Sequence, residues 1–257
     1  MKILHLDVST GVAGDMLSAA LLELFDDREE IVERLNGIGI PGVVFRADQV
    51  KSYDIVGTHM TVTWNGLEEQ PGCQHGSHDH DVHHHHHDHR HLFDIHQIVD
   101  RLDLPFRVKT HVREVYYLIA EAEAKVHGEP MEHIHFHELG TMDAVADISA
   151  ACLMIDLLQP DRIVATPICA GFGSIECAHG ILPVPAPATA VILEGVPSFA
   201  GEIEGELSTP TGTALIRPVA QDYSQQPPMV VDRRGYGVGK KDFGRLSAVR
   251  ASIGESI

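Results

Sequence analysis

Ten histidines lie in one short internal stretch of this 257-residue chain, between Cys73 and His91. Imidazole is too polar to be buried ten times over, so ordinary core packing does not explain the tract. Neutral imidazole nitrogen is a good ligand for nickel, zinc and copper, and a His-rich tract therefore predicts metal binding. Its internal position and interleaved aspartates favour native metal handling over a purification tag or a solvated linker. The candidate metal ligands of this tract are His75, His78, His80, His83, His84, His85, His86, His87, His89 and His91.

A second candidate site is the segment H-I-H-F-H-E-L-G-T-M-D-A-V-A-D, which runs from His133 to Asp147. In an extended conformation its three alternating histidines would project from one face. Imidazoles with nearby carboxylates suit a divalent metal or an acid–base pair, with ordinary polar packing as the alternative. Asp143 could instead cap the following helix, whereas Asp147 on an otherwise apolar helix needs a partner. The catalytic candidates are His135, His137, Glu138, Asp143 and Asp147, and the two histidines among them are also candidate metal ligands.

Three further segments could hold a phosphate or cofactor: D-V-S-T-G-V-A-G-D-M, L-S-T-P-T-G and G-Y-G-V-G-K-K. Glycines after a first strand can turn backbone N–H groups toward a phosphate, although a tight turn with a helix cap explains them equally well. The third segment lacks the spacing of G-x-x-x-x-G-K-[ST], which argues against a P-loop GTPase. The cofactor-binding candidates are Asp7, Gly11, Gly14, Asp15, Thr209, Thr211, Gly212, Lys240 and Lys241.

The composition excludes several partners. The formal charge is 19 − 37 = −18, which argues against nucleic acid or an anionic membrane as a partner. The four cysteines form no C-x-x-C pair, so we expect neither a thiolate zinc site nor a disulfide scaffold. A short apolar N-terminus and the lack of a membrane-spanning apolar stretch predict a cytoplasmic protein.

The order of the predicted helices and strands, which must position these residues, indicates an α/β fold. We expect a mixed sheet flanked by helices, with a disordered His-rich loop inserted at about 66–92. The chain opens as strand, glycine turn and helix, which is typical of an α/β protein. Strands are predicted near 43–50, 59–64 and 163–166, and the glycine-rich tail from Arg233 is not assigned. Helices are predicted from Asp15, from an N-cap at Asp94, from Pro105 to Gly128, over 143–158, after Pro187 and over 211–219.

Five motifs occur together in one order: D-V-S-T-G-V-A-G-D-M, H-F-H-E-L-G-T-M-D-A-V-A-D-I, H-G-I-L-P-V-P-A-P-A-T, E-L-S-T-P-T-G-T-A-L and G-Y-G-V-G-K-K-D-F. With the His tract, they resemble the LarC family of nickel-insertion proteins, from Lys2 to about Arg250. The chain looks like the N-terminal portion of that family, without its C-terminal domain. The L-S-A-V-R of the tail departs from the family pattern.

The resemblance implies a concrete activity. Family members insert Ni²⁺ into pyridinium-3,5-bisthiocarboxylic acid mononucleotide, which yields the nickel-pincer nucleotide cofactor of lactate racemase. The reaction depends on CTP with Mn²⁺ or Mg²⁺, associated with the C-terminal domain. Expected partners are the mononucleotide, the C-terminal portion, the lactate racemase apoprotein and further copies of the chain in a homo-oligomer. A non-catalytic nickel storage or delivery protein is the alternative, and a metal-dependent hydrolase is a third interpretation.

Overall fold

The structure is a computed structural model that describes residues 1–68, 90–136, 141–177 and 180–257. Most of the predicted His-rich loop lies outside these residues, as do His137 and Glu138. The described part confirms the predicted fold class, because helices flank a mixed sheet. The helices are α1 (Gly14–Leu22), α2 (Arg28–Gly37), α3 (Leu92–Arg101), α4 (Phe106–His127), α5 (Met142–Leu158), α6 (Pro187–Ile192) and α7 (Pro210–Ile216), with a 3₁₀ turn at Met131–His133.

The strands form one large sheet and three short ribbons. The sheet strands are β1 (Lys2–Asp7), β2 (Val43–Ser52), β3 (Ile55–Trp64), β4 (Leu67–Glu68), β5 (Arg162–Ala165), β12 (Asp222–Tyr223), β13 (Met229–Val238) and β14 (Ala248–Ser256). The ribbon strands are β6 (Ile168–Cys169), β7 (Gly171–Phe172), β8 (Ser174–Cys177), β9 (Gly180–Pro183), β10 (Ser198–Phe199) and β11 (Gly205–Glu206). The sheet order is β12-β5-β1-β14-β13-β3-β2, and β4 pairs with β3.

The sheet is mixed because it contains both parallel and antiparallel strand pairs. Strand β1 runs parallel to β5 and antiparallel to β14, with Leu4 opposite Ile253. On the other side of β14, the hairpin of β13 and β14 meets the hairpin of β2 and β3 through a short parallel contact. The two C-terminal strands therefore lie at the centre of the sheet.

Helix α1 lies directly on this centre. It contacts β3, β13 and β14 on one side and α5 on the other, and eight of its nine residues are buried. The approach is close because alternate residues of β13 are glycines. A side chain at Gly237 would overlap the carbonyl oxygen of Met16, and a Cβ at Gly235 would lie 2.5 Å from that of Ala20.

Several sequence predictions hold in this fold. Helix α4 begins after Pro105 and ends at Gly128, which has the left-handed conformation expected of a C-terminal cap. The apolar residues that recur along α4 at steps of four and three are buried from Val108 to Ala122, whereas Val126 is 38% exposed. Helix α5 follows the predicted bounds to within one residue, and the hairpin of β2 and β3 contains both predicted strands.

Other local predictions are wrong. Helix α3 begins after His91, and Asp94 lies in its first turn, where its carboxylate accepts a hydrogen bond from the His91 N–H. Helix α2 was not predicted; Asp27 caps it by accepting from the Glu30 N–H. The unassigned tail forms β13 and β14. In the described part of the chain, none of the helices is long and apolar enough to cross a membrane.

Gly237→Ala tests the packing of α1 on β13. The added methyl group must displace the α1 backbone, so we expect the free energy of unfolding to fall by about 3 kcal/mol. Gly37→Ala is the control, because a Cβ at Gly37 meets nothing within 4 Å. At the end of α2 that change should raise the free energy of unfolding by less than about 1 kcal/mol. Urea denaturation of both variants measures the difference, and equal stabilities would contradict the packing argument.

Candidate functional site

Two carboxylates project from the start of helix α5. Thr141 caps the helix by accepting from the Ala144 N–H, so the predicted capping role of Asp143 is wrong. Asp143 lies in the first turn, and Asp147 lies four residues later on the same face. Most of the other α5 side chains are buried and apolar, which is why a carboxylate at Asp147 needs a specific environment.

That environment is the N-terminus of α1. The N-cap residue Ala13 has no side-chain acceptor, and Asp147 accepts a hydrogen bond from the backbone N–H of Asp15. A Cβ on Gly14 would lie 2.7 Å from the Asp147 Oδ2. Glycine at this position therefore leaves the space that the carboxylate occupies. The predicted candidates Gly14 and Asp15 therefore lie beside Asp147, which is distant from them in the sequence.

The carboxylates of Asp15, Asp143 and Asp147 form one electrostatic unit, which we call the carboxylate cluster. Burial raises the pKa of Asp147 well above its ordinary value of 3.8, and Asp143 and Asp15 raise it further. Burial also raises the pKa of Asp15, against the opposing effects of Lys240, the Met16 N–H and His59. The cluster therefore holds protons more tightly than exposed aspartates do.

Lys240 is the cation that faces this cluster. It follows strand β13, its side chain is 25% exposed, and it forms an ion pair of 2.5 Å with Glu68. Burial lowers its pKa, but Glu68, Asp15 and Asp143 together raise it above the ordinary value. Lys240 therefore remains charged and partly offsets the repulsion within the cluster. Lys241 lies outside this unit, with its ammonium 5.1 Å from the ring centroid of Phe243.

Tyr116 is a site residue that the sequence analysis missed. It lies on α4, is fully buried, and packs edge-on against Phe136. Burial raises its pKa well above 10.0, and the charge of Asp147 raises it further. Neither the Tyr116 hydroxyl nor the Asp147 Oδ1 has a hydrogen-bond partner among the described residues. In the sequence, this residue could have been recognised as a tyrosine among the buried apolar positions of α4. A buried hydroxyl normally needs a hydrogen-bond partner, so its presence there indicates a specific environment.

The histidines of the second motif are arranged differently from the predicted strand. His133 lies in the 3₁₀ turn, so the expectation of three histidines on one extended face is wrong for this residue. Phe136 forms a bridge with Arg90, which brings His135 beside His91 with ring centroids 4.0 Å apart. His91 also contacts the Ile134 carbonyl through Nδ1, at 3.2 Å. This residue of the His tract is therefore part of the folded structure.

Metal ligation stays a prediction. Within residues 1–68, 90–136, 141–177 and 180–257, no group of three or more His, Cys, Asp or Glu side chains is placed to hold a metal ion. His135 and His91 supply two adjacent imidazoles. The remaining proposed ligands, including His137, lie outside the described residues.

The glycine and threonine turns pack against each other. Val12 donates its N–H to the Leu207 carbonyl, and the Thr209 N–H donates to the Val12 carbonyl. Gly11, with φ +104°, and Gly212 are needed here because a side chain at either would overlap the opposing backbone. These turns therefore have a structural role that accounts for both glycines.

The remaining cofactor-binding candidates also have structural partners. Thr209 caps α7 by accepting from the Gly212 N–H, and Thr211 is buried in the first turn of that helix. Asp7 accepts from Ser9 and pairs with Arg250. These hydrogen bonds and the arginine lower the pKa of Asp7 despite its burial. Cofactor binding by these residues stays a prediction.

The α/β fold and the motifs around the carboxylate cluster define a family. The chain belongs to the nickel insertion protein family, whose family model, described as "Nickel insertion protein", matches residues 4–256.

Curated relatives carry more specific names. The chain is 37% identical over 257 residues to a putative nickel insertion protein of Dictyoglomus thermophilum, covering 100% of this chain and 62% of the relative. It is 38% identical over 258 residues to the pyridinium-3,5-bisthiocarboxylic acid mononucleotide nickel insertion protein of Geobacillus kaustophilus, covering 99% of this chain and 60% of the relative. The chain thus spans about three fifths of the length of these relatives. No solved structure matches it.

Asp147→Asn tests the buried carboxylate. Because the folded-state pKa of Asp147 lies above 3.8, the folded chain binds this proton more tightly than the unfolded chain does. The group's contribution to stability is therefore complete below the unfolded pKa and is lost as pH rises toward the folded pKa. Asparagine stays neutral, so we expect the Tm of the variant, relative to the parent, to rise as the pH is raised above about 4.

The control for this measurement is Asp26→Asn, because the Asp26 side chain is 90% exposed. Its Tm difference from the parent should not change with pH in the same direction. A Tm difference for Asp147→Asn that is constant across this range would contradict the raised pKa.

Proposed function

We propose that this chain contains the site at which Ni²⁺ is inserted into pyridinium-3,5-bisthiocarboxylic acid mononucleotide. Family membership and the names of the Geobacillus kaustophilus and Clostridium kluyveri relatives support the substrate. The observation that carries the location is the carboxylate cluster, where Asp147 has a buried oxygen without a described partner. Nickel is the metal substrate in this proposal and not a resident cofactor.

The chemistry requires a metal donor site, a softer acceptor and a base. Imidazole and carboxylate ligands bind nickel less tightly than sulfur ligands, so nickel can pass from protein side chains to the two sulfurs of the substrate. We infer that the His tract collects nickel and that His135 and His137 deliver it to the substrate.

Forming the nickel–carbon bond requires that the ring C–H bond break. Its electron pair forms the bond to nickel, and the proton passes to a base. Asp147 is the proposed base: its ionised carboxylate accepts the proton, and its partly buried position favours the protonated form that the step produces. The negative charges of Asp15 and Asp143 strengthen this preference for the protonated form. The positive charge of Lys240 opposes it, so the carboxylate can still ionise. The buried Tyr116 hydroxyl, which has no described partner and whose pKa the charge of Asp147 raises, is a further candidate to interact with the base.

The remaining parts of the proposed reaction concern the longer relatives. We propose that CTP with Mn²⁺ or Mg²⁺ acts through the C-terminal portion, as the resemblance to the family implies. We further propose the lactate racemase apoprotein as the acceptor of the product, a homo-oligomeric assembly and a cytoplasmic location. The activity would be that of a nickel chelatase of the lyase class.

A non-catalytic nickel storage or delivery protein is the second candidate, which the ten-histidine tract favours. Such a protein would bind nickel through the tract and would need no mononucleotide. Its residues around Asp147 would then have only a structural role in capping α1. The two functions therefore differ in what they require of the carboxylate cluster.

Replacing residues 74–89 by a Gly-Ser linker of equal length tests the collecting role. The change removes nine of the ten tract histidines and retains His91, which caps α3 and contacts His135. We expect the bound nickel per chain, measured after equilibrium dialysis, to fall severalfold while the Tm is unchanged. Unchanged nickel binding would contradict this role, and so would a large fall in Tm.

The insertion assay tests the site itself. The chain is incubated with the C-terminal portion of a longer relative, the mononucleotide, CTP and saturating nickel, and the product is followed by absorbance and mass spectrometry. We expect Asp147→Asn to lower the insertion rate by at least about a hundredfold, the lower range for loss of a general base. His135→Ala/His137→Ala should abolish insertion, because these residues deliver nickel to the substrate. His111→Ala, an exposed histidine on α4, and Asp26→Asn are the controls.

The outcomes separate the candidates. Near-normal insertion by Asp147→Asn would show that another residue is the base. If the parent binds nickel normally but forms no product, the storage function is favoured.

A further inference from the structure

A polar cleft opens beside the carboxylate cluster, between the turn of the β2–β3 hairpin and the β13–β14 loop. Its volume is about 390 Å³, within the range of small-molecule sites. We call it the hairpin cleft; its charged side chains and its histidine are Lys51, His59, Lys240, Lys241, Asp242 and Arg245. Four cations and one carboxylate thus line a cleft in a chain whose net charge is −18. This local reversal of charge points to an anionic ligand.

The single carboxylate of the cleft has a structural role. Asp242 accepts hydrogen bonds from the Tyr53 hydroxyl at 2.7 Å and from the Gly244 N–H at 2.8 Å. These bonds lower its pKa and join the hairpin turn to the loop. Tyr53 and Asp54 both have positive φ, as a tight two-residue hairpin turn requires. The cleft therefore has a defined wall, and Asp242 is already occupied.

The cations at its mouth are available to a ligand. Lys51 and Arg245 pair with Asp54 and Glu202, whose side chains are 92% and 87% exposed. Ion pairs between exposed groups contribute little, so a more strongly charged anion can replace these partners. Lys241 lies over the Phe243 ring and has no ion pair among the described residues that competes with a ligand. A phosphate monoester carries a charge of about −2 and is well matched by two lysines and an arginine.

Two residues that line the cleft also act on the carboxylate cluster. His59 and Lys240 line the cleft, and both act on the charge of Asp15. The His59 Nδ1 contacts the Val238 carbonyl at 3.0 Å, which fixes the ring at this boundary. A molecule bound by a phosphate at the mouth and directed past His59 would extend its ring toward Asp15.

We propose that the hairpin cleft binds the 5′-phosphate of a pyridinium mononucleotide through Lys241, Arg245 and Lys51, with the ribose directed past His59 toward the carboxylate cluster. This inference rests on the proposed function for the identity of the substrate. It assigns separate roles to two adjacent lysines: Lys241 binds phosphate, and Lys240 balances the cluster. Lys51, His59 and Arg245 are additional binding residues.

Calorimetric binding without nickel tests the phosphate contact. The probes are nicotinate mononucleotide, which lacks the thiocarboxylates, the corresponding riboside, CTP and inorganic phosphate. We expect the parent to bind the mononucleotide about tenfold or more tightly than the riboside, as charged hydrogen bonds to phosphate would give. Lys241→Gln/Arg245→Gln should lower mononucleotide affinity to that of the riboside and leave riboside affinity unchanged. Competition by inorganic phosphate should be lost in the same variant.

The matched control is Lys109→Gln/Lys125→Gln, which removes two positive charges from α4, away from the cleft. Normal mononucleotide binding by this control, with an unchanged Tm in both variants, shows that the effect is local. The proposal is overturned if the cleft variant binds the mononucleotide like the parent or if the parent does not distinguish mononucleotide from riboside. It is also overturned if the cleft variant loses affinity for CTP and not for the mononucleotide, because the cleft would then bind a triphosphate.

The insertion assay separates this inference from the proposed function. Phosphate-dependent binding without nickel insertion by the parent would retain the cleft and reject the insertion activity. Insertion that proceeds at the normal rate and KM in Lys241→Gln/Arg245→Gln would retain the activity and reject the cleft.

Discussion

Helix α1 begins with N–H groups that its own cap residue, Ala13, does not satisfy. The acceptor comes from α5, where Asp147 lies against Gly14 and receives the Asp15 N–H. This contact requires glycine at position 14, at the start of α1, because a side chain there would overlap Asp147. It also requires a carboxylate one turn into α5, which is otherwise mostly buried and apolar. Because both helices pack tightly, the position of Asp147 is set by rigid elements and not by a loop. That arrangement suits a site that must hold a reacting group in a fixed geometry.

The charge balance at this contact explains why the surrounding residues are needed. Three carboxylates in a partly dry space repel one another, and burial of each costs free energy unless it is paired. Lys240 reduces this cost but does not remove it, because Glu68 shares the same ammonium. The result is a raised pKa at Asp147, which is a cost in stability at neutral pH and an advantage for accepting a proton. The same residue thus links the packing of α1 to the proposed chemistry.

The sequence predicted more of the fold than of the site. The opening strand, turn and helix, the β2–β3 hairpin and helices α4 and α5 follow from hydrophobic periodicity and from glycine or proline at their ends. The pattern did not identify β13, because its alternate glycines are typical of a loop. Their reason is tertiary: Gly235 and Gly237 lie under the backbone of α1. Likewise, the sequence did not single out Tyr116, because only packing brings its hydroxyl within the electrostatic influence of Asp147.

The sequence by itself determined the chemical inventory of this protein and its local geometry. The prediction of metal binding by the histidine tract, the shared face of Asp143 and Asp147 and the motifs of the nickel insertion family all follow from residue type and short spacing. Only the tertiary structure decided that Asp147 lies at the start of α1, that Lys240 faces it and that Lys241 faces a separate cleft. The physical reason is that backbone periodicity relates neighbours a few residues apart, whereas contacts between distant segments depend on how helices and strands pack. Glycine marks where that packing is closest, but its partner is visible only in the folded chain.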